Sequence, residues 1–152
     1  ELPVVHDDGL AIQVMVGDFA HVTAPTKVYS PLIGLDIRAQ KQTKTRLQLR
    51  PDFEYGILPL SNDIKVEDTD IDQQTFLYLG CGRSEVELIA PQDARFLLIG
   101  GEPFTEEILI WWNFVARSKQ EIIEATNLWN KGTYFGEVKG ALGKPIPAPI
   151  MP

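Results

Sequence analysis

Histidine is almost missing from this chain: His6 and His21 are its only copies in 152 residues. They share no H-x-H or H-x-x-x-H spacing, so a three-histidine metal site cannot be assembled, and each reads as a surface or loop residue. Cysteine is scarcer still. Cys81 stands alone, which excludes an internal disulfide and a C-x-x-C pair and fits a reducing, cytoplasmic compartment. Positive charge is short: 14 Lys and Arg stand against 21 Asp and Glu, for a net charge of -7. That balance argues against nucleic acid, which needs a basic stripe, and against anionic membrane surfaces. No apolar run approaches the roughly 20 residues of a bilayer span, and no signal peptide is visible. There is no G-x-S-x-G elbow. Neither Gly80 with Gly82 nor Gly100 with Gly101 is followed by the helix that a phosphate loop requires. The chain opens on Glu1 rather than methionine and enters a strand pattern almost at once, as expected of a piece of a longer protein or a processed chain.

What is present is alternation with period two. Ile12, Val14 and Val16 share a face; Leu35 and Ile37 alternate with Asp36 and Arg38; Leu47 and Leu49 alternate with Arg46, Gln48 and Arg50; Val86 and Leu88 alternate with Glu85 and Glu87. Two runs, Phe96 to Ile99 and Ile108 to Trp112, are nearly continuous, which suits strands covered on both faces. Gly17-Asp18, Ser61-Asn62-Asp63, Gly80-Cys81-Gly82, Pro91-Gln92-Asp93 and Gly100-Gly101 supply the turns. Many short strands at this spacing predict an all-β sandwich or barrel over residues 11–115.

One helix is signalled, over 118–131. Ser118 and Glu121 form an S-x-x-E capping box, in which each side chain satisfies the other's free amide. Ile122, Ala125, Thr126 and Trp129 recur at helical spacing, and Gly132 supplies the stop. The tail over 132–152 ends in "GKPIPAPIMP", with proline at 145, 147, 149 and 152. It is expected to be extended and laid on a surface. A single domain spanning 1–152 accounts for this order.

Few residues carry chemistry. Cys81 sits in a Gly-Cys-Gly turn beside Arg83, and an inert turn cysteine is the favoured reading. Glu54 and Tyr55, at the corner of "LQLRPDFEYGILPL", are the acid and phenol that a barrel mouth could use as a proton-sharing pair, joined by Tyr29 and Glu102. A solvated Glu54 beside a packed Tyr55 ring is the favoured alternative. No residue is assigned as catalytic and none as a metal ligand. Trp111 and Trp112, read as successive strand residues, point to opposite faces. One enters the core, and the other needs a cover from the helix, the tail or another domain. Trp111, Trp112, Phe114 and Trp129 are therefore candidate packing or interface residues.

The stretch "GGEPFTEEILIWWNFVARSKQEI", from Gly100 to Ile122, resembles the carboxy-terminal half of pirin-family proteins. "VTAPTKVYSPLIGLDI", from Val22 to Ile37, looks like the opening of the same half, and "GTYFG" and "PIPAP" are similar to its end. The resemblance implies the second cupin barrel of a bicupin: a jelly-roll-like double-stranded β-helix with one carboxy-terminal helix. In that family the first barrel normally carries a three-histidine, one-glutamate iron site. Some members are quercetin 2,3-dioxygenases, and others are regulatory binding partners. Tyr29 stands where many relatives have histidine in a Thr-His-Ser-Pro context, which weakens a pocket here. The expectation is a domain with no cofactor of its own, iron or another divalent metal lying in the sister domain. Its partner is that amino-terminal cupin domain or another protein, with self-association as a further way to cover an apolar face. A dioxygenase belonging to the longer parent and a small-molecule-binding barrel are the competing expectations.

Overall fold

The structure, a computed structural model, describes residues 1–151. The chain divides into two compact units, Glu1–Pro103 and the residues from Phe104 onward.

In the first unit the strands are β1 Val4–Asp7, β2 Leu10–Val16, β3 Asp18–Phe19, β4 Val22–Thr23, β5 Leu32–Ala39, β6 Thr43–Gln48, β7 Glu54–Ser61, β8 Ile64–Val66, β9 Thr69–Ile71, β10 Leu77–Gly80, β11 Glu85–Ala90 and β12 Arg95–Gly101. They form a six-stranded sheet in the order β1-β2-β5-β12-β7-β10 and a four-stranded sheet in the order β6-β11-β8-β9. Every pairing in these two sheets is antiparallel. The alternation in the sequence decides which side chains meet. Ile12, Val14, Leu35, Ile37, Ile57, Phe96 and Leu98 from the larger sheet share one core with Leu47, Ile64, Val66, Val86 and Leu88 from the smaller. Each fully buried aliphatic side chain contributes about 1.5–3 kcal/mol, so this core dominates the unit's stability.

The reverse faces show the same logic. Lys44 and Arg46 on β6 pair with Glu85 and Glu87 on β11, the closest contacts being 3.0 and 2.9 Å. These pairs are solvated, so they fix register more than they add stability. The run Phe96–Ile99 is not covered on both sides: Phe96 and Leu98 enter the core, whereas Ile99 stands exposed on the outer face. Strand pairing also begins earlier than the alternation predicts, with β1 running against β2.

In the second unit, β13 Leu109–Trp111 and β14 Phe114–Ala116 form a hairpin that leads into α1 Lys119–Lys131. The sequence reading of Trp111 and Trp112 as consecutive strand residues fails here. Trp112 sits in the two-residue turn with φ 53°, a left-handed conformation that costs a non-glycine residue about 1 kcal/mol or more. Its indole offsets that cost by packing edge-on against Phe114 and Trp129, both with ring centroids 5.4 Å away. The Ser118 hydroxyl accepts the N–H of Glu121, as the capping box predicts. The Glu121 carboxylate, however, takes the Arg117 N–H at 2.9 Å, one residue earlier than the reciprocal box places it. That bond and the Arg117 guanidinium hold the Glu121 carboxyl below its usual range. Gly132, left-handed at φ 68°, ends the helix by donating to Trp129, while Thr133 donates to Leu128. Among the described residues, no helix is long and apolar enough to cross a membrane.

Candidate functional sites: an outer-face groove and an aromatic clasp

The corner that precedes β7 is a turn in which Phe53 N–H donates to the Arg50 carbonyl at 3.1 Å. Arg50 pairs with Asp52, which raises the guanidinium's pKa and lowers that of the carboxyl. Its guanidinium also lies over the Phe53 ring, 4.1 Å from the centroid. Tyr55 is buried, and its hydroxyl accepts the Arg50 backbone N–H at 2.9 Å. Burial pushes the phenol's pKa up. Gly100 makes room for this ring, since a Cβ at that position would strike it.

Glu54 and Tyr55 are therefore not a proton-sharing pair. Successive strand residues face opposite ways, and Glu54 lies on the outer side of the sheet. Its carboxylate accepts the Tyr78 hydroxyl at 2.7 Å, and that bond raises the pKa of Tyr78. Of the other residues proposed for the mouth, Glu102 places its carboxylate 3.9 Å from the Arg50 guanidinium and donates its backbone N–H to the Pro31 carbonyl. Tyr29 is 89 % exposed, with the Lys27 ammonium 4.8 Å from its ring centroid. The histidines are surface residues, His6 on β1 and His21 at the tip of the β3–β4 hairpin, where its φ is 67°. Cys81 is exposed in its turn. Among the described residues, no three His, Cys, Asp or Glu side chains converge as a metal ion would need. The donor set does not fit the three-histidine, one-glutamate site of a metal-bearing cupin.

What Glu54 and Tyr78 do border is an apolar groove of about 420 Å³ on the outer face of the larger sheet. Ile99 on β12 is the register partner of both Gly34 on β5 and Gly56 on β7, so one side chain stands between two positions without any. Phe76 closes one hollow, because a Cβ on Gly56 would collide with its ring. Asp72 shapes the approach to Phe76. Its carboxylate accepts the Thr75 hydroxyl at 2.7 Å and the Gln74 N–H at 2.9 Å, which lowers its pKa. The arrangement can hold an apolar body and accept one hydrogen bond at Glu54; it offers no nucleophile. Phe76 and Tyr78 escaped the sequence reading, although their spacing of two in "TFLYLG" is the signal that would have placed them on one face.

In the second unit the four aromatic candidates do come together. Phe114 is buried, with Trp111, Trp112 and Trp129 packed in the same cluster. The proline-rich tail lies across them. Trp129 Nε1–H donates to the Ile146 carbonyl at 2.8 Å, and Trp111 Nε1–H donates to the Pro149 carbonyl at 3.1 Å. Between these, Asn130 donates to the Ala148 carbonyl at 3.0 Å and accepts the Ala148 N–H at 2.8 Å. The cover that the extra indole needed is thus supplied by helix and tail. Asn130 and Ala148 were not picked out from the sequence; an alanine set between two prolines was the only hint.

Comparison with known proteins agrees with this architecture. The Pirin C-terminal cupin domain model matches residues 34–135. A Pseudomonas aeruginosa protein whose name assigns it, provisionally, to the quercetin 2,3-dioxygenases is 38 % identical over 153 residues, covering 100 % of this chain and 49 % of that protein. Human Pirin is 26 % identical over 130 residues, covering 82 % of this chain and 45 % of its own. The crystal structure of a quercetin 2,3-dioxygenase from Acinetobacter baumannii superimposes with a TM-score of 0.93 at 40 % identity, over 100 % of this chain and 51 % of that one. The chain thus spans about half the length of the relatives it matches. With the two-sheet core, the single carboxy-terminal helix and the family match in agreement, this chain belongs to the Pirin C-terminal cupin domain family.

Proposed function

We propose that this chain is a metal-free cupin domain that works by contact, beside the metal-bearing amino-terminal cupin domain of a longer, pirin-like parent. The observation that carries this reading is a bare pair on the hairpin. Ile110 and Val115 are direct register partners, yet they are 73 % and 66 % exposed, while the hairpin's other face packs against the indoles. An apolar pair side by side on one face of a hairpin supports a contact surface there. The reading is also supported by the half-length coverage of the relatives and by the lack of convergent metal ligands among the described residues. A reducing, cytoplasmic setting belongs to the same reading and rests on Cys81 being the single cysteine.

The test is binding of a separately produced amino-terminal cupin domain of a pirin-like protein, by calorimetry and light scattering. Ile110→Lys with Val115→Lys abolishes the complex, or the self-association of the chain alone, while leaving the circular dichroism unchanged. An unchanged affinity would sink the proposal. Metal content is checked separately, after incubation with iron, nickel, copper and manganese and then desalting. Fewer than about one metal per ten chains is expected from the ligand set. Near one per chain would refute the metal-free reading and make Glu54 the first residue to mutate. Dioxygenase activity is proposed only for the longer parent, on the strength of its relatives' names.

The groove beside Glu54 supports a second reading, a small-molecule site. Its probe is quercetin, measured by calorimetry against the Glu54→Ala chain. Saturable binding that the substitution weakens supports this reading, and binding left unchanged removes it.

A further inference from the structure

We propose that the aromatic clasp of the second unit is a recognition site for an extended Pro-Ala-Pro peptide. Residues 145–151 are its resident occupant, and the corresponding tail of a second copy of this chain can take their place.

The argument rests on what the clasp reads. A proline-rich extended strand forms no hydrogen bonds with itself, so its backbone groups point outward and a receptor can engage them. Here the contacts fall on four backbone groups within four residues: the carbonyls of Ile146, Ala148 and Pro149 and the N–H of Ala148. With proline at 147 and 149, Ala148 carries the single N–H of that triplet, and Asn130 Oδ1 accepts it. Ala148 is 4 % exposed, whereas Ile146 and Ile150 are largely solvated. Selection therefore follows a rule: a small residue with a free N–H, flanked by prolines, with wide tolerance at the solvated positions 146 and 150 and an apolar side chain at 151.

The connection to the occupant permits exchange. Phe135 is the last strap residue tied to the cluster, its ring centroid 5.8 Å from that of Phe114 and 5.6 Å from that of Trp129. From Gly136 to Lys144 every residue is exposed, and Gly136, Gly140 and Gly143 have positive φ. Such a strap spans roughly 30 Å when extended, enough to deliver the tail to a neighbouring copy. An exchange of identical elements needs no contact that the single chain lacks. The tether favours the resident tail at low concentration, because a short flexible linker corresponds to an effective concentration in the millimolar range.

The experiment empties the site without truncating the chain. Ala148→Arg prevents the tail from seating, and the peptide Lys-Pro-Ile-Pro-Ala-Pro-Ile-Met is then titrated into the ¹⁵N-labelled variant. The indole N–H resonances of Trp111 and Trp129 are expected to move saturably. A peptide with proline in place of alanine binds at least about tenfold more weakly, having no N–H for Asn130. Adding Asn130→Ala to the variant weakens the wild-type peptide by a similar factor. Association through Ile110 and Val115 is removed beforehand by Ile110→Lys with Val115→Lys in both chains of a mixing experiment. Mixing the Ala148→Arg chain, which offers an empty site, with an Asn130→Ala, Trp129→Phe chain, which loses two of the three side chains that bond its own tail, then yields a heterodimer by light scattering. Should Ala148→Arg fail to fold, the wild-type chain serves instead: excess peptide must shift its Ala148 amide towards the undocked position. Absence of any indole or amide shift at millimolar peptide overturns the proposal, as does equal binding of the proline-substituted peptide. Peptide binding without a heterodimer overturns the second copy as occupant.

Discussion

In residues 1–103, water is excluded by aliphatic side chains drawn from two sheets, and almost any one of them has neighbours to share the load. From Phe104 on, the buried apolar set among the described residues is Phe114, Ile122 and Ala148, ringed by half-buried indoles. That is too little surface to stabilise a unit by area alone. Directional contacts make up the difference: indole N–H groups on tail carbonyls, a two-way amide bond at Asn130, and edge-on ring pairs. The first unit is consequently sensitive to lost volume and the second to lost geometry. All three tryptophans lie in the second unit, so their emission reports on it alone, whereas the far-ultraviolet signal is dominated by the strands of the first.

Phe96→Ala tests the comparison hardest. It removes a fully buried ring from the central strand and is expected to cost the first unit about 3–5 kcal/mol. The urea midpoint followed by circular dichroism drops, and the midpoint followed by tryptophan emission stays in place. Midpoints that fall together would break the division. Ser118→Ala is the converse, removing the helix cap at a cost of about 1 kcal/mol. Only the tryptophan midpoint should respond.

A smaller effect is expected from Asp36, whose carboxyl is held below its usual value of 3.8 by the hydrogen bond from Arg95. A lowered folded-state value means that the contribution is fully present above the unfolded value and disappears as pH falls through the lowered one. Asp36→Asn should therefore flatten the acid limb of the first unit's stability profile below about pH 4, while leaving the second unit's profile alone. An acid limb unchanged by the substitution would remove Asp36 from the account. Thr126 gives the smallest shift and the opposite sign. Among the described residues its buried hydroxyl has no partner, so Thr126→Val should stabilise the second unit by at most about 1 kcal/mol. A loss of stability instead would mean that the hydroxyl is satisfied.

How much of this was legible in the sequence follows from the range of the forces involved. Leu35 with Ile37 and Val86 with Leu88 announce their strands because alternation is local, and Ser118 and Gly132 bracket the helix for the same reason. The partner of Glu54 was not legible. Tyr78 lies 24 residues away and arrives through the register of β10 against β7. The turn at Trp112 was not legible either, because a tryptophan at positive φ is rare and this one is held there by ring contacts with Phe114 and Trp129, the latter 17 residues away in the chain. The tail could be read as extended, but its seat on Asn130 depends on where a helix ends, which no local pattern records.

The lock at the β7 corner has a consequence for how this sequence can drift over generations. Tyr55 fastens to Arg50 through the latter's backbone, so residue 50 is free to change its side chain without loosening the bond. Tyr55 and Gly100 enjoy no such freedom. Phenylalanine at 55 would orphan a half-buried N–H, and any side chain at 100 would invade the phenol's space. The dependence runs one way: the phenol at 55 requires glycine at 100, but a smaller residue at 55 would not release position 100, because a Cβ there also meets the Glu54 backbone carbonyl.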